Sequence, residues 1–233
     1  MTTDYENTLS NLPESEIKSP LFAFLNLVEL DLIRKNSITV LFKKGETIRK
    51  QGTFMSHVIS MNSGLAKLYL EGVENKNAII RIVKPPNFVG GPGIYLDQLH
   101  HFSMTALMNS SICFIDIPVF KEIIDTNKIF AHEFMKDAAR NILSVYNRLI
   151  SLTQKQMPGR MADTLIYLFD EIFESSRFIL VVSKQDMAEL SGMSKESAVK
   201  ILKEFQNEGI ISIDSKELKL LDAEGLRRIS KVG

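Results

Sequence analysis

The spacing of hydrophobic and polar positions changes along this chain. From about residue 21 to residue 120, short apolar runs are separated by glycines and polar residues, a pattern typical of antiparallel rolls and barrels. From residue 131 to residue 156, apolar positions recur every three or four residues without proline or glycine, which predicts one long helix. Shorter helical and alternating patterns follow. We therefore expect an α+β protein with an N-terminal antiparallel β-roll, a long helix and a small C-terminal domain.

Five apolar runs in the first region have the length and composition of strands. They lie at residues 37–42, 57–61, 65–70, 78–83 and 111–116. Glycines that suit turns lie between or beside these runs, namely Gly45, Gly52, Gly64 and Gly72. The pattern predicts a roll over residues 21–130, preceded by an N-terminal segment at residues 1–20.

The long helix at residues 131–156 carries a heptad stripe. Its seam consists of Met135, Ala138, Ile142, Val145, Leu149 and Leu152, and Gln156 continues the spacing. A stripe of this kind predicts pairing with a second copy of the chain, so we expect a homodimer joined by this helix. The alternative is an amphipathic helix that lies on the roll. Residues 157–160, Met-Pro-Gly-Arg, are predicted to break the helix and to form a hinge between domains.

Residues 182–209 carry the signals of two short helices joined by a tight turn. Ser183 and Ser194 are the expected N-caps, and Gly192 between the helices suits left-handed backbone. The small side chain of Ala188 allows two helices to cross closely. The spacing favours a helix-turn-helix, with an ordinary helical hairpin as the alternative.

A wing is predicted directly after the second helix. Residues 210–213 and 218–220 alternate apolar and polar side chains around a polar turn, as in a β-hairpin. Asp222 is the expected N-cap of a closing helix at residues 223–229. Residues 157–233 are therefore predicted to form a winged helix-turn-helix that binds double-stranded DNA.

Eight residues of this domain are candidates for DNA contact. They are Ser183, Lys184, Ser194, Lys195, Glu196, Ser197, Lys200 and Lys203. Lysine can donate to guanine and glutamate can accept from cytosine in the major groove, while groups at a helix start can bind phosphate. The alternatives are a solvated face for the lysines and a capping role for Glu196. Two such helices in a dimer would reach successive major grooves, which predicts a pseudo-palindromic site.

Composition and charge narrow the range of functions. The 28 basic and 28 acidic residues balance, so we expect weak nonspecific DNA binding and reliance on base contacts and dimeric avidity.

The single cysteine, Cys113, excludes an intrachain disulfide and is expected in the core. The four histidines lack the spacing of a cupin-like enzyme site, and we expect no metal site. The polar start and the lack of a long apolar run predict a cytoplasmic protein without a signal peptide or membrane span.

Residues 42–48, Gly52 and residues 59–69 resemble the cyclic-nucleotide-binding roll of the CRP/FNR family of transcription regulators. Residues 194–200 are similar to the recognition helix of that family, and the resemblance extends over about residues 21–229. It implies a cyclic-nucleotide-binding-like jelly roll, a dimerisation helix and a winged helix-turn-helix. It also implies a dimeric regulator, not an enzyme, with RNA polymerase and a small-molecule effector as partners. Family members typically carry arginine where Lys195 and Lys200 stand.

The sequence departs from the nucleotide-binding members where they hold the phosphate. Gly90-Gly91-Pro92 stands in place of Gly-Glu-Leu, and Phe102-Ser103 in place of Arg-Ser. Without the acid and the arginine, cAMP is not expected as the effector. The remaining candidates for an effector pocket are Gly90, Gly91, Phe102, Ser103 and Tyr146. We expect no cofactor, with a haem-based gas sensor as the alternative.

Overall fold

A computed structural model describes residues 19–233, so most of the N-terminal segment, residues 1–20, lies outside the described residues. The described chain forms two compact units. One contains the chain up to Leu68 together with Ile82–Arg140, and the other contains Tyr69–Arg81 and Asn141–Gly233. The division falls inside the long helix, whereas the sequence analysis treated that helix as a separate segment.

The roll consists of eight short strands in two four-stranded sheets. The strands are β1 (Ser37–Phe42), β2 (Thr47–Arg49), β3 (His57–Ser63), β4 (Ala66–Leu70), β5 (Ala78–Val83), β6 (Asn87–Val89), β7 (Ser103–Ala106) and β8 (Ser110–Asp116). The sheet orders are β1-β8-β3-β6 and β2-β7-β4-β5. Each of the five predicted strands is present within two residues of its predicted bounds. The three missed strands, β2, β6 and β7, are only three or four residues long.

Two helices and the start of the long helix cover one face of the first sheet. Helix α1 (Leu27–Lys35) begins at a capping box, and α2 (Ile117–Thr126) follows β8 directly. Phe120 of α2 stacks on Phe88 with ring centroids 5.1 Å apart, and the Phe134 ring lies 5.2 Å from Phe120. Cys113 is buried in the same cluster, as expected. This aromatic core joins the sheet to its helices.

The long helix α3 spans Lys128–Gln154. It begins three residues earlier than predicted because Asn127 caps it: the Asn127 Oδ1 accepts the N–H of Ile129 at 3.1 Å and that of Phe130 at 2.9 Å. The long helix does end next to the predicted break, at Gln154, but residues 157–160 are themselves helical. Helix α4 (Met157–Ile166) starts there, with Pro158 in its first turn. A proline fits that position because the first N–H groups of a helix have no intrahelical acceptor.

The C-terminal elements form a winged helix-turn-helix. A π-helical turn at Tyr167–Ile172 follows α4 and leads to β9 (Arg177–Ile179). The remaining elements are α5 (Lys184–Ser191), α6 (Lys195–Asn207), β10 (Ile211–Ile213), β11 (Glu217–Leu220) and α7 (Ala223–Val232). The antiparallel sheet has the order β10-β11-β9, so the predicted hairpin gains a third strand. Helix α7 begins after Asp222, as predicted, and ends three residues later than expected.

Candidate functional site

Helix α5 starts with a complete capping box. The Ser183 hydroxyl oxygen accepts the Asp186 N–H at 3.1 Å, and the Ser183 N–H donates to the Asp186 carboxylate at 2.9 Å. The same hydroxyl donates to that carboxylate at 2.6 Å. The Ser183 hydroxyl therefore already donates its proton to Asp186, although Ser183 is exposed. Lys184, the first residue of α5, is also exposed.

The turn between α5 and α6 requires a glycine and small neighbours. Gly192 has φ +60° and ψ 47°, and its N–H donates to the carbonyl of Ala188. A Cβ atom on Gly192 would lie 2.6 Å from Leu152 Cδ2 of the long helix. Ala188 is fully buried. The predicted turn is therefore confirmed, and the backbone packs closely against the end of α3.

Helix α6 separates a buried apolar face from an exposed polar one. Ala198, Ile201, Leu202 and Phe205 form the buried face. Ser194 caps the helix by accepting the Ser197 N–H at 3.1 Å, and its hydroxyl donates to that of Ser197 at 3.1 Å. The first turn is thus capped by Ser194 and not by Glu196. Gly209, with φ +71°, ends the helix as predicted.

The charged side chains of α6 face solvent. Lys195, Glu196, Lys200 and Lys203 are all exposed, and Ser197 is half-buried. Lys200 pairs with Glu204 at 4.0 Å, a separation and exposure at which the pairing is weak. The eight predicted DNA-contact residues lie at the start of α5 and along α6, and the four lysines and Glu196 among them are exposed.

Two arginines that were not predicted from the sequence contact this motif. Arg148 of α3 donates to the carbonyl oxygens of Glu189 and Leu190 at the end of α5. Arg160 of α4 donates from Nη1 to the Gly192 carbonyl at 3.2 Å. No local sequence signal marks these contacts because each joins positions at least 30 residues apart.

Four predicted effector residues lie together in the roll. Gly90 and Gly91 follow β6, and a Cβ atom on Gly91 would lie 3.1 Å from Cε1 of the Phe102 ring. Phe102 is buried there. Ser103 is fully buried and its Oγ accepts the Gln51 N–H at 2.9 Å. The fifth residue, Tyr146, is an exposed residue of the other unit.

Two adjacent histidines of the roll have different surroundings. His100 is buried, and within the described chain its Nε2 has no hydrogen-bond partner. Burial, and then the charge of Arg49, lowers the pKa of His100 to about 4. The Arg49 guanidinium lies 4.0 Å from the centroid of the Phe114 ring, and burial lowers its pKa. His101 instead pairs with Asp97 at 3.1 Å on the surface.

Residues 19–233 contain neither a cluster of metal ligands nor a membrane-spanning helix. No three His, Cys, Asp or Glu side chains in that range converge to hold a metal ion. No helix in the same range has the length and apolar character needed to cross a membrane.

The seam of α3 is largely exposed. Met135 is 66%, Ile142 50%, Val145 46% and Leu149 57% exposed, whereas Ala138 and Leu152 are half-buried. Leu152 packs against Gly192 of its own chain. Three further apolar side chains widen the exposed stripe, namely Leu143, Tyr146 and Ile150.

Two sequence families match the two halves of this architecture. Residues 39–127 match the family described as "Cyclic nucleotide-binding domain", and residues 159–229 match "Crp-like helix-turn-helix domain". The chain belongs to the CRP/FNR family of transcription regulators. This membership confirms the predicted fold class and the prediction of a DNA-binding regulator. It also excludes the cupin-like enzyme.

Relatives of this CRP/FNR regulator share its length and fold. It is 25% identical over 188 residues to the transcriptional activator protein FnrA of Stutzerimonas stutzeri, covering 79% of this chain and 77% of the relative. It is 23% identical over 205 residues to the transcriptional regulatory protein btr of Bordetella pertussis, covering 86% and 84%. FixK2 of Bradyrhizobium japonicum has a similar structure, with a TM-score of 0.77 at 15% identity over 84% of this chain and 98% of FixK2.

Proposed function

We propose that this regulator acts as a cytoplasmic homodimer that reads a pseudo-palindromic DNA site with α6. It controls transcription through contact with RNA polymerase, as its family membership suggests. Its activity responds to a small-molecule effector other than cAMP. The observation that carries this proposal is the exposed polar face of α6, where Lys195, Glu196 and Lys200 extend beside a fully capped helix start. Charged groups left accessible on the second helix of this motif are suited to base edges.

The groups of this face have different roles in the proposal. Lys195 and Lys200 donate to guanine O6 or N7, and Glu196 accepts from the amino group of cytosine. Lysine is a single-point donor, so each lysine contact specifies a base less sharply than an arginine fork would. The phosphate contacts come from Ser183, Lys184, Ser194, Ser197 and Lys203.

The exposed seam of α3 supports the homodimer. Four large apolar side chains at heptad positions face solvent in the single chain, and an exposed apolar stripe of this kind marks an association surface. Because the chain has balanced charge, one winged helix alone gains little from phosphate attraction. In a dimer, binding of the first recognition helix holds the second close to its half-site. The resulting high effective concentration raises the affinity for the whole site.

The test compares two glutamate variants of α3. The double variant Ile142→Glu, Leu149→Glu places charges in the seam, and Ile129→Glu places one on an exposed position of the same helix outside the seam. Sedimentation should show a monomer for the seam variant and a dimer for the control. Binding to a site obtained by in vitro selection should weaken at least about 100-fold only in the seam variant. A seam variant that stays dimeric would overturn the seam as the dimer interface, and a parent protein that sediments as a monomer would overturn the proposed dimer.

The effector site is proposed to work without a bound cofactor. Phe102 occupies the space next to Gly91 in the roll, which favours an apolar or amphipathic effector over a phosphate. Haem is the competing occupant, since a histidine nitrogen is its common protein ligand. Reconstitution of the full chain with haem distinguishes the two: a stable Soret band that survives gel filtration would replace the cofactor-free proposal with a haem sensor.

A further inference from the structure

A half-buried arginine of the long helix is hydrogen-bonded to the helix-turn-helix. Arg148 Nη2 donates to the carbonyl of Glu189 at 3.3 Å and to that of Leu190. These are carbonyls of the last turn of α5, which have no intrahelical donor. A cation is favoured at this end because it carries the negative end of the helix dipole.

Because Arg148 is half-buried, its contact with α5 favours one orientation of α5 relative to α3. Desolvation lowers the pKa of Arg148 to about 10, so the guanidinium remains charged at neutral pH. Among the described residues, it forms no ion pair with an acid. A partly desolvated charge whose hydrogen bonds go to these carbonyls loses them when α5 turns away from α3. The orientation of α5 is therefore coupled to the position of Arg148 on the long helix.

Two other contacts hold the same turn. Arg160 Nη1 donates to the Gly192 carbonyl at 3.2 Å, and Leu152 of α3 packs against Gly192. The turn that leads into the recognition helix is thus held by side chains from both α3 and α4. Arg148 lies one turn before Leu152, so the contacts form a continuous surface along the end of α3.

A separate polar network fixes the end of α3 to the rest of the winged helix. The Asp163 carboxylate of α4 accepts from Ser151 Oγ at 2.5 Å, Lys155 Nζ at 2.8 Å and Ser230 Oγ at 2.6 Å. Ser151 belongs to α3 and Ser230 to α7. Residues 141–233 accordingly form part of one compact unit, and the end of the dimerisation helix moves together with the DNA-reading motif.

We propose that Arg148 is a positioning residue for DNA reading. It fixes the direction of α5 and α6 relative to the end of α3 and thereby sets the distance between the two recognition helices of a dimer. This inference rests on the proposed homodimer, because a single chain has no half-site spacing to set. The preferred spacing between half-sites is the property that Arg148 controls.

The test measures half-sites and spacing separately in the full-length protein. Fluorescence anisotropy is recorded on a duplex with one half-site and on duplexes with two half-sites whose spacing changes in single base pairs. Arg148→Met should bind the single half-site within about twofold of the parent protein. Its affinity for the optimal two-half-site duplex should fall about tenfold or more, and its preference among spacings should flatten.

Two further variants make the result interpretable. Arg140→Met removes an exposed arginine of the same helix and should change neither affinity nor spacing preference. Arg148→Lys retains the charge but not the planar fork that reaches two carbonyls, so its spacing preference should be intermediate. If Arg148→Met does not fold, as judged by circular dichroism, Arg148→Lys carries the test.

Three outcomes would overturn the inference. Equal losses on the single half-site and on the two-half-site duplex would mean that Arg148 only stabilises the domain. An unchanged spacing preference in Arg148→Met and Arg148→Lys would mean that other contacts set the geometry. A parent protein that binds two half-sites no better than one would overturn the dimeric function itself, and that result does not depend on any Arg148 variant.

Discussion

The helix-turn-helix and the roll both contain serines, glycines and cations at their candidate sites. In the helix-turn-helix these residues lie at the surface, whereas in the roll they are buried or packed against other side chains. Ser194 caps α6 and remains exposed, but Ser103 is fully buried and bonded to the Gln51 N–H. Gly192 opens a turn, while Gly91 is covered by the Phe102 ring. Polar residues in a motif therefore indicate a binding site only where their hydrogen-bonding groups stay accessible.

The cations of the two regions differ in the same way. Lys195 and Lys200 extend into solvent from α6, so a partner could contact them without displacing packed side chains. Arg49 in the roll already lies over the Phe114 ring, beside the buried His100. Arg49 therefore takes part in packing within the roll, whereas the two lysines of α6 remain exposed.

The largest effect expected from this contrast is an acid sensitivity of the roll. His100 has a pKa lowered to about 4 by burial and then by Arg49, whereas in the unfolded chain it titrates near pH 6.5. The unfolded state therefore binds more protons between these values, so stability present above pH 6.5 is lost as the pH falls towards 4. The loss should reach up to about 3 kcal/mol.

Urea unfolding followed by circular dichroism at several pH values between 7 and 4 measures this loss. His100→Gln should remove this part of the pH dependence, whereas His101→Gln, at the exposed neighbouring position, should retain it. An identical slope in His100→Gln and the parent protein would show that the buried histidine is not the cause.

The next largest effect concerns the close contact at the turn of the helix-turn-helix. Gly192→Ala and Gly209→Ala both place a side chain on left-handed backbone, which costs about 1 kcal/mol. Only at Gly192 does the new Cβ meet a neighbour, Leu152 Cδ2 at 2.6 Å, whereas the space at Gly209 is open. We expect a loss of about 2 kcal/mol for Gly192→Ala and about 1 kcal/mol for Gly209→Ala in thermal unfolding. Equal losses would mean that Leu152 moves aside without cost.

A smaller effect is expected from the exposed acid of the recognition helix. Glu196→Ala removes the acceptor proposed to select cytosine, which is worth about 1 kcal/mol or more at one base position. Because the side chain has no capping role in α6, stability should not change and affinity for the best site should stay within about threefold. In vitro selection from a random library measures the effect as a loss of preference at one position in each half-site. An unchanged consensus would contradict the assigned contact.

The same contrast explains which features could be predicted from the sequence. The caps at Ser183 and Ser194 and the turn at Gly192 follow from local backbone chemistry, which a few neighbouring residues determine. The short strand β6 and the covering of Gly91 by Phe102 depend on residues brought together by the fold. Pro158 shows a third case, since a proline that stops one helix is equally suited to start the next.

The longer-range contacts leave even less signal. Arg148 follows the pattern of an exposed helix position next to an apolar seam, and only folding places Glu189 and Leu190 within reach. Leu152 satisfies the heptad spacing, yet part of its surface packs within its own chain. A regular pattern therefore predicts which face of a helix is apolar. It does not predict which residues of that face pack within the chain and which remain free for a partner.

The smallest effect expected is that of cAMP on the roll. The phosphate-pairing arginine of the nucleotide-binding members is replaced by Phe102, whose ring lies against Gly91, and Pro92 offers no amide proton. A cyclic phosphate would lose its hydration there without gaining a charge-assisted partner. We expect a dissociation constant weaker than about 10 mM, so that 1 mM cAMP stabilises the protein by less than about 0.1 kcal/mol. Thermal unfolding should be unchanged at that concentration, and 1 mM sodium chloride serves as the ionic control. A reproducible rise in Tm with cAMP alone would mean that the roll opens at Phe102, and the contrast between its enclosed groups and the exposed ones of α6 would no longer hold.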